Sequence, residues 1–421
     1  MTTPRASRRR FLKTAAASAL VAGVPLALPA QGRTIKIGAV HPVTGPLAEV
    51  GQLCRLGGQI AVDAINAAGG IKSMGGARLE LLTGDSESKP EVARTVAERL
   101  INDGATMLTG AFHSGHIMAM VPVAQQRQVP FIVDIGAADV ITANVARSVK
   151  EGKQKTQYVY RVFPTTATFG AKAVQYMTEI FTETKTAPKR VVVMFTNDAF
   201  GKPQSESFVN AVKAASPGFE IVEVIPFPED AKDLSTEVSR AKSLKPDVLA
   251  PITRPTTAIL LLQELTRQRM DLLGVISPGA PGLYEPRQLE ILKEHIEYVM
   301  SSTVWPNLKA PATQKLSDEH VKRAGGKYLD ANAAYTYDAV SVMADVLERA
   351  KATGADALVE AIKKTNLGGQ VAVAAGPIRF NDNGDNANAS TAMIQILRNK
   401  PLVVWPKEAA QASVVFPRPK M

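Results

Sequence analysis

Chemistry in this chain is best sought where short apolar runs give way to helix starts. Gly110-Ala111-Phe112-His113-Ser114-Gly115 follows one such run and opens a helical pattern. The first amides of a helix have no partner within it, and the helix start carries partial positive charge. Ser114 and its neighbouring amides therefore suit an anion, although a serine there is equally a plain N-cap. Arg254 stands in a comparable place, after the run Asp247–Ile252 and just before Pro255. A guanidinium pairs a carboxylate through two parallel hydrogen bonds. Arg254 is thus a candidate second contact to a negatively charged guest, its alternative being an ordinary solvated loop arginine.

His113 and His116, three apart at the same helix start, invite a metal reading. No third ligand follows at a helpful spacing, so no metal is expected, and His113 is assigned to the pocket. Cys54 is the single cysteine, which excludes an internal disulfide and a multi-cysteine metal site. It reads as a small, half-buried residue on the first helix. The sequence contains no nucleophile elbow, phosphate loop, HExxH or carboxylate pair at acid/base spacing. Gly104 to Gly110 is not a phosphate loop, since no Gly-Lys-Ser/Thr follows. No catalytic residue and no cofactor is expected, which favours a binder over an enzyme.

The elements that must carry these residues alternate. Ile35–Val40 reads as a buried strand, and Gln52–Ala67 as a helix closed by Gly69-Gly70. Strand Arg78–Leu82, helix Glu91–Asp103, strand Thr106–Thr109, helix Ser114–Gln128 (broken or restarted near Pro122) and strand Phe131–Val133 complete a first series. After Pro164 a second begins: helix Gly170–Thr184, strand Arg190–Phe195, helix Ser205–Ala215, strand Glu220–Ile225 and helix Leu234–Leu244. Strand Asp247–Ile252, helix Thr256–Met270 and strand Leu273–Ile276 follow. A strand near Tyr298–Val304, a helix Ala333–Ala350, the turn Asn381–Gly384 and a last strand Met393–Leu397 close the chain. Strands alternating with helices of this length predict an α/β fold of two doubly wound, parallel-sheet lobes. Such sheets bind ligands beyond the carboxyl ends of their strands, and two that face each other form a cleft.

The bulk numbers agree. With 421 residues, 45% hydrophobic and 21% charged, the chain is long enough for two or three domains. The net charge of +10 suggests nucleic acid only until its source is traced. Residues 1–30 carry five basic side chains and no acidic one; without them 44 basic residues face 39 acidic ones, a net of +5. No dense basic run remains, so no nucleic-acid partner is expected. Those thirty residues hold Arg8-Arg9-Arg10-Phe11-Leu12-Lys13, an apolar stretch Ala15–Leu28 and small residues near Ala30. That is the pattern of a twin-arginine signal peptide, too short in its apolar part for a membrane span, and it predicts export to a bacterial periplasm.

Several stretches resemble the Leu/Ile/Val-binding family, the type I periplasmic binding proteins of ABC importers. They are Ile35–Gly38 with Pro42–Ala48, Ala61–Ile71, Thr109-Gly110 with Ser114, and Val129-Pro130. Arg161 with Pro164 and Gly170, Asn197-Asp198 with Phe200-Gly201, and Tyr335–Val340 continue the order, so the resemblance spans about residues 34 to 400. It implies a three-stranded hinge with crossovers near residues 163, 304 and 382, giving lobe one as 33–162 plus 305–381 and lobe two as 163–304 plus 382–421. It also implies a monomer that hands a small-molecule carboxylate to a membrane permease.

By the same resemblance Ser114 and nearby amides hold the carboxylate, with Phe112 and His113 beside them. Gly136 and Ala138 form a second clamp, Phe200 an aromatic wall, and Tyr335 a further contact. Two departures bear on the ligand. The acid that would anchor an ammonium group falls at Gly279, which has no side chain, and the first-loop aromatic is replaced by Val50. An unpaired ammonium in a closed cleft costs several kcal/mol, about what burying any unpaired ion costs. Unless Asp134 or Asp198 substitutes, the expected ligand is an aromatic or short aliphatic acid without an α-amino group. The rivals are an amino-acid binder of the same family, a sensor for a membrane receptor, and a hydrolase on the same scaffold.

Overall fold

A computed structural model describes residues Thr34–Pro419; the expected signal peptide lies outside them. The first series runs β1 (Thr34–His41), α1 (Ala48–Ala67), β2 (Arg78–Asp85), α2 (Pro90–Asn102), β3 (Leu108–Gly110), α3 (Ser114–Arg127), β4 (Phe131–Val133), α4 (Val140–Lys150) and β5 (Val159–Arg161). The second runs α5 (Thr166–Glu183), β6 (Arg190–Thr196), α6 (Gly201–Ala215), β7 (Glu220–Phe227), α7 (Ser235–Ser243), β8 (Val248–Ile252), α8 (Pro255–Arg267), β9 (Gly274–Ser277), α9 (Pro286–Leu292) and β10 (Met300–Thr303). Helices α10 (Pro311–Arg323), α11 (Ala331–Ala350) and α12 (Ala355–Lys363) follow, and β11 (Ala392–Leu397) and β12 (Lys400–Trp405) finish the order.

Two sheets result. The first has the order β2-β1-β3-β4-β5 and is parallel throughout. The second has the order β12-β11-β10-β9-β8-β6-β7, parallel from β7 to β10 and antiparallel at β11 and β12. Strands β3, β4, β5 and β8 are buried at every residue, as expected where helices cover both faces of a parallel sheet. In each sheet the first two strands in sequence lie in reversed order beside the third, which places a topological switch point at β1/β3 and at β6/β8.

Helices α10 and α11 return to the first sheet's layer and pack on α1, while α12 packs on α11. The turn after α12 then pairs Asp385 with Arg161 at the edge of β5 before the chain enters β11.

Three expectations need correction. Helix α3 runs unbroken through Pro122; the residue is exposed, so water can serve the carbonyl that loses its donor. Met393–Leu397 does not end the sheet, since β12 pairs with β11 as a hairpin. Pro401 is tolerated because β12 is an edge strand. Cys54 is fully buried rather than half-buried.

Candidate functional site

Both switch points supply the same cleft. It encloses a cavity of about 40 Å³. That makes a narrow slot. Five aromatic rings line it: Phe112, Phe163, Phe169, Phe200 and Tyr284. Ile135, Ala137, Ala280 and Pro281 add apolar surface, and Gly136 and Gly279 add bare backbone. The polar side chains are Ser114, Arg254, Thr303 and Asn332, and no Asp or Glu is among the lining residues.

The Ser114 end follows from β3. Phe112 lies in the left-handed region at φ +66, costly for a bulky side chain and typical of a functional turn. This turn makes His113 the N-cap of α3, its Nδ1 accepting from the Gly115 amide at 3.1 Å. Ser114 is therefore the first helical residue and not the cap, so its hydroxyl is free to face the cleft. The next loop contributes bare backbone because Asp134 holds its start: Oδ1 accepts from the Ile135 amide at 2.7 Å. Asp134 Oδ2 pairs with His41 Nε2 at 2.7 Å and accepts from the Thr336 hydroxyl at 2.8 Å. Buried Arg161 fixes the loop's other side. Its Nη1 donates to the carbonyls of Gly136 and Ala138 at 2.9 and 2.8 Å, and its Nη2 reaches Asp385 at 2.6 Å.

The opposite wall comes from β6 and β8. Asp198 follows β6 and accepts from the Phe200 and Gly201 amides at 2.8 and 2.7 Å. Its other oxygen takes Arg254 Nε at 2.7 Å, with both side chains buried. Burial opposes ionisation of Asp198, but Arg254, His113 and the Gly201 amide outweigh it and hold the carboxyl far below the usual range. The Arg254 guanidinium stacks on Phe200, 4.8 Å from the ring centre. Its Nη2 is buried with no partner among the described residues. Arg254 is thus neither a solvated loop arginine nor a lone positive charge. It is half of a buried ion pair whose Nη2 group is left without a partner.

The expected contacts divide. Phe112, Ser114, Gly136, Phe200 and Arg254 line the cleft. His113, Ala138 and Tyr335 do not. The His113 side chain turns to Glu229, Nε2 to Oε1 at 3.0 Å, and the Ala138 carbonyl is taken by Arg161. Tyr335 packs behind Phe163, ring centres 4.9 Å apart. Val50 is buried within α1 and is not a lining residue. Phe163, Phe169, Tyr284, Thr303 and Asn332 were not anticipated. Only the nearby Arg161, Pro164 and Gly170 marked the first two, and no sequence signal marked the others.

Two trios place potential metal ligands within 4.8 Å of one another: His41, Cys54 and Asp134, and His113, Asp198 and Glu229. Internal pairing accounts for both. In the first, burial pushes the Cys54 thiol well up, so it keeps its proton. In the second, Arg254 already supplies the cation. His116, its ring tilted against that of His113 with centres 4.7 Å apart, is pushed down to about 3 by burial and stays neutral.

A family model described as a periplasmic binding protein matches residues 34–400. A Leu/Ile/Val-binding protein homolog of Brucella suis is 26% identical over 416 residues, covering 95% of this chain and 98% of its own. A leucine binding protein from Thermotoga maritima superposes with a TM-score of 0.73 at 23% identity, covering 87% of this chain and 97% of its own. A solute binding protein from R. palustris, solved with benzoate, gives 0.72 at 20% identity, covering 88% and 95%.

Proposed function

Because the chain belongs to the periplasmic binding protein family, of the Leu/Ile/Val-binding type, we propose that it captures a small aromatic carboxylate without an α-amino group and delivers it to the permease of an ABC importer. We take residues 33–162 plus 305–381 as one lobe and 163–304 plus 382–421 as the other, closing on the ligand between them. The family implies a periplasmic or extracellular location; the Arg8-Arg9-Arg10-Phe11-Leu12-Lys13 leader supports export by the twin-arginine route. The protein acts as a monomeric binder without catalysis or cofactor.

One observation carries the ligand class. The slot pairs aromatic walls with a buried, unpartnered guanidinium N–H and the Ser114 hydroxyl, and no lining residue carries an acid. A carboxylate suits those donors, and a flat ring suits the slot. Asp134 and Asp198, the two candidates to receive an ammonium group, are already occupied by His41 with Thr336 and by Arg254. The benzoate held by the R. palustris neighbour has the same chemistry.

Thermal-shift and calorimetric titration of the purified protein against benzoate, phenylacetate, short aliphatic acids, benzamide and leucine test this reading. Stabilisation follows RT ln(1 + [L]/Kd). Aromatic acids should give the largest shifts and benzamide much smaller ones. Tight leucine binding with none of benzoate would overturn the ligand class in favour of an amino-acid binder.

A further inference from the structure

The contact between His113 and Glu229 lies outside the ligand slot yet joins its two walls. His113 caps α3, which follows β3 of the first sheet; Glu229 follows β7, the edge strand of the second. Because the Gly115 amide donates to Nδ1, the ring proton sits on Nε2, which then donates to Glu229 Oε1 at 3.0 Å. The same Nε2 is 3.8 Å from Asp198, and Arg254 Nε is 3.9 Å from Glu229. Glu229 therefore touches both the histidine of one wall and the Asp198–Arg254 pair of the other. His113 is buried, whereas the Glu229 side chain is 43% exposed. Neither lines the slot. A half-exposed acid reaching across a cleft to a buried histidine is placed to hold the cleft shut without touching what is inside.

We propose that Glu229 and His113 form a latch between the lobes, which sets how long the closed cleft keeps its ligand and which is made whether or not a ligand is present. The proposal rests on the binding function above for its biological role but not for its test. Glu229 is a positioning residue here: it acts on the ligand through the closed state. A purely electrostatic role predicts something else. Removing a negative charge beside an anion site would speed association, and salt would erase the effect. Removing a latch speeds dissociation, at high salt as well as low.

Two readouts separate these outcomes. Spin labels at Gln126→Cys on α3 and Lys213→Cys on α6, both exposed, report the distance between lobes. Buried Cys54 stays unlabelled. Without ligand, Glu229→Ala should shift the distance distribution toward longer, broader values than in the otherwise unchanged protein. Glu229→Gln, which can still accept a hydrogen bond, should fall between. With benzoate as probe, stopped-flow should show dissociation about three- to tenfold faster in Glu229→Ala, as for loss of one partly exposed charge-assisted hydrogen bond, with association changed less than twofold. His113→Asn retains a capping side chain but is too short to reach Glu229; its effect should not add to that of Glu229→Ala. Unchanged lobe distances, or an effect confined to association and lost in 0.5 M salt, would overturn the latch. If benzoate fails to bind but the distances respond, the latch stands and the ligand class falls. If benzoate binds and neither readout moves, the latch falls alone.

Discussion

Replacing Arg254 separates its two roles. In the single variant Arg254→Met, Asp198 loses its Nε partner at 2.7 Å while remaining buried. Breaking a buried ion pair from one side costs about 3–5 kcal/mol. The Phe200 and Gly201 amides still serve Asp198, so about 3 kcal/mol of stability is the expected loss. The double variant Arg254→Met with Asp198→Asn removes the orphaned charge and should recover most of that loss. Its ligand affinity should not recover. A hydrogen bond from the guanidinium Nη2 to a carboxylate contributes about 1.5–3 kcal/mol, which at ~1.4 kcal/mol per decade weakens benzoate binding roughly 10- to 150-fold. Benzamide, which brings no negative charge, should change by less than about threefold. Isothermal titration gives both affinities, and urea unfolding gives stability. A well-folded double variant that still binds benzoate within threefold of the unaltered protein would refute the assignment of Arg254 as the carboxylate's partner.

Three further outcomes follow from the same structure. Arg161→Met strips Asp385 of its ion-pair partner, leaving it the Thr142 hydroxyl, and leaves the Gly136 and Ala138 carbonyls without the guanidinium; urea unfolding should show a loss of about 3–5 kcal/mol, and a loss below 1 kcal/mol would contradict the role given to this residue. Burial pushes the Glu285 carboxyl up to about 8 from 4.5, so the folded protein keeps a proton that the unfolded chain releases. The resulting stability is complete below pH 4.5 and is lost as pH rises through about 8; Glu285→Gln should therefore gain in melting temperature relative to the unaltered protein between pH 5 and 8.5, and parallel pH curves would contradict it. Gly279→Asp, which restores the acid expected of an amino-acid site, should confer no leucine binding and should weaken benzoate in calorimetry, because a Cβ there lies 2.5 Å from Phe169 Cδ1 and 2.9 Å from the Ser302 carbonyl at φ +118.

The sequence made the strand-end half of the slot legible and hid the rest for identifiable reasons. Phe112, Ser114, Phe200 and Arg254 sit where an apolar run meets a helix start, a junction that composition marks. Phe163 and Thr303 stand where the chain leaves β5 and β10, and Asn332 opens α11 after the return. Their placement depends on which connection joins the two layers, and a period of hydrophobicity carries no such information. Strand β5, three residues long, was missed as well. The pairing of Arg254 was equally hidden. Asp198 is 56 residues away in sequence, and only the order β8-β6 brings their loops together.

That pairing also decides how selectivity arises. A free arginine in a slot of aromatic rings would attract any anion, including inorganic ones, and would carry a full desolvation cost when the slot is closed. With Asp198 taking Nε and Phe200 covering the guanidinium face, the charge is balanced and the buried Nη2 group remains without a partner. A guest gains from that donor and from Ser114 only if the rest of it is apolar and thin enough for the rings. A small hydrated anion would leave the aromatic walls unfilled, and a zwitterion would strand its ammonium group, since Asp134 and Asp198 are already engaged. The ion pair thus turns a general attraction for negative charge into a demand for a carboxylate on a flat apolar body.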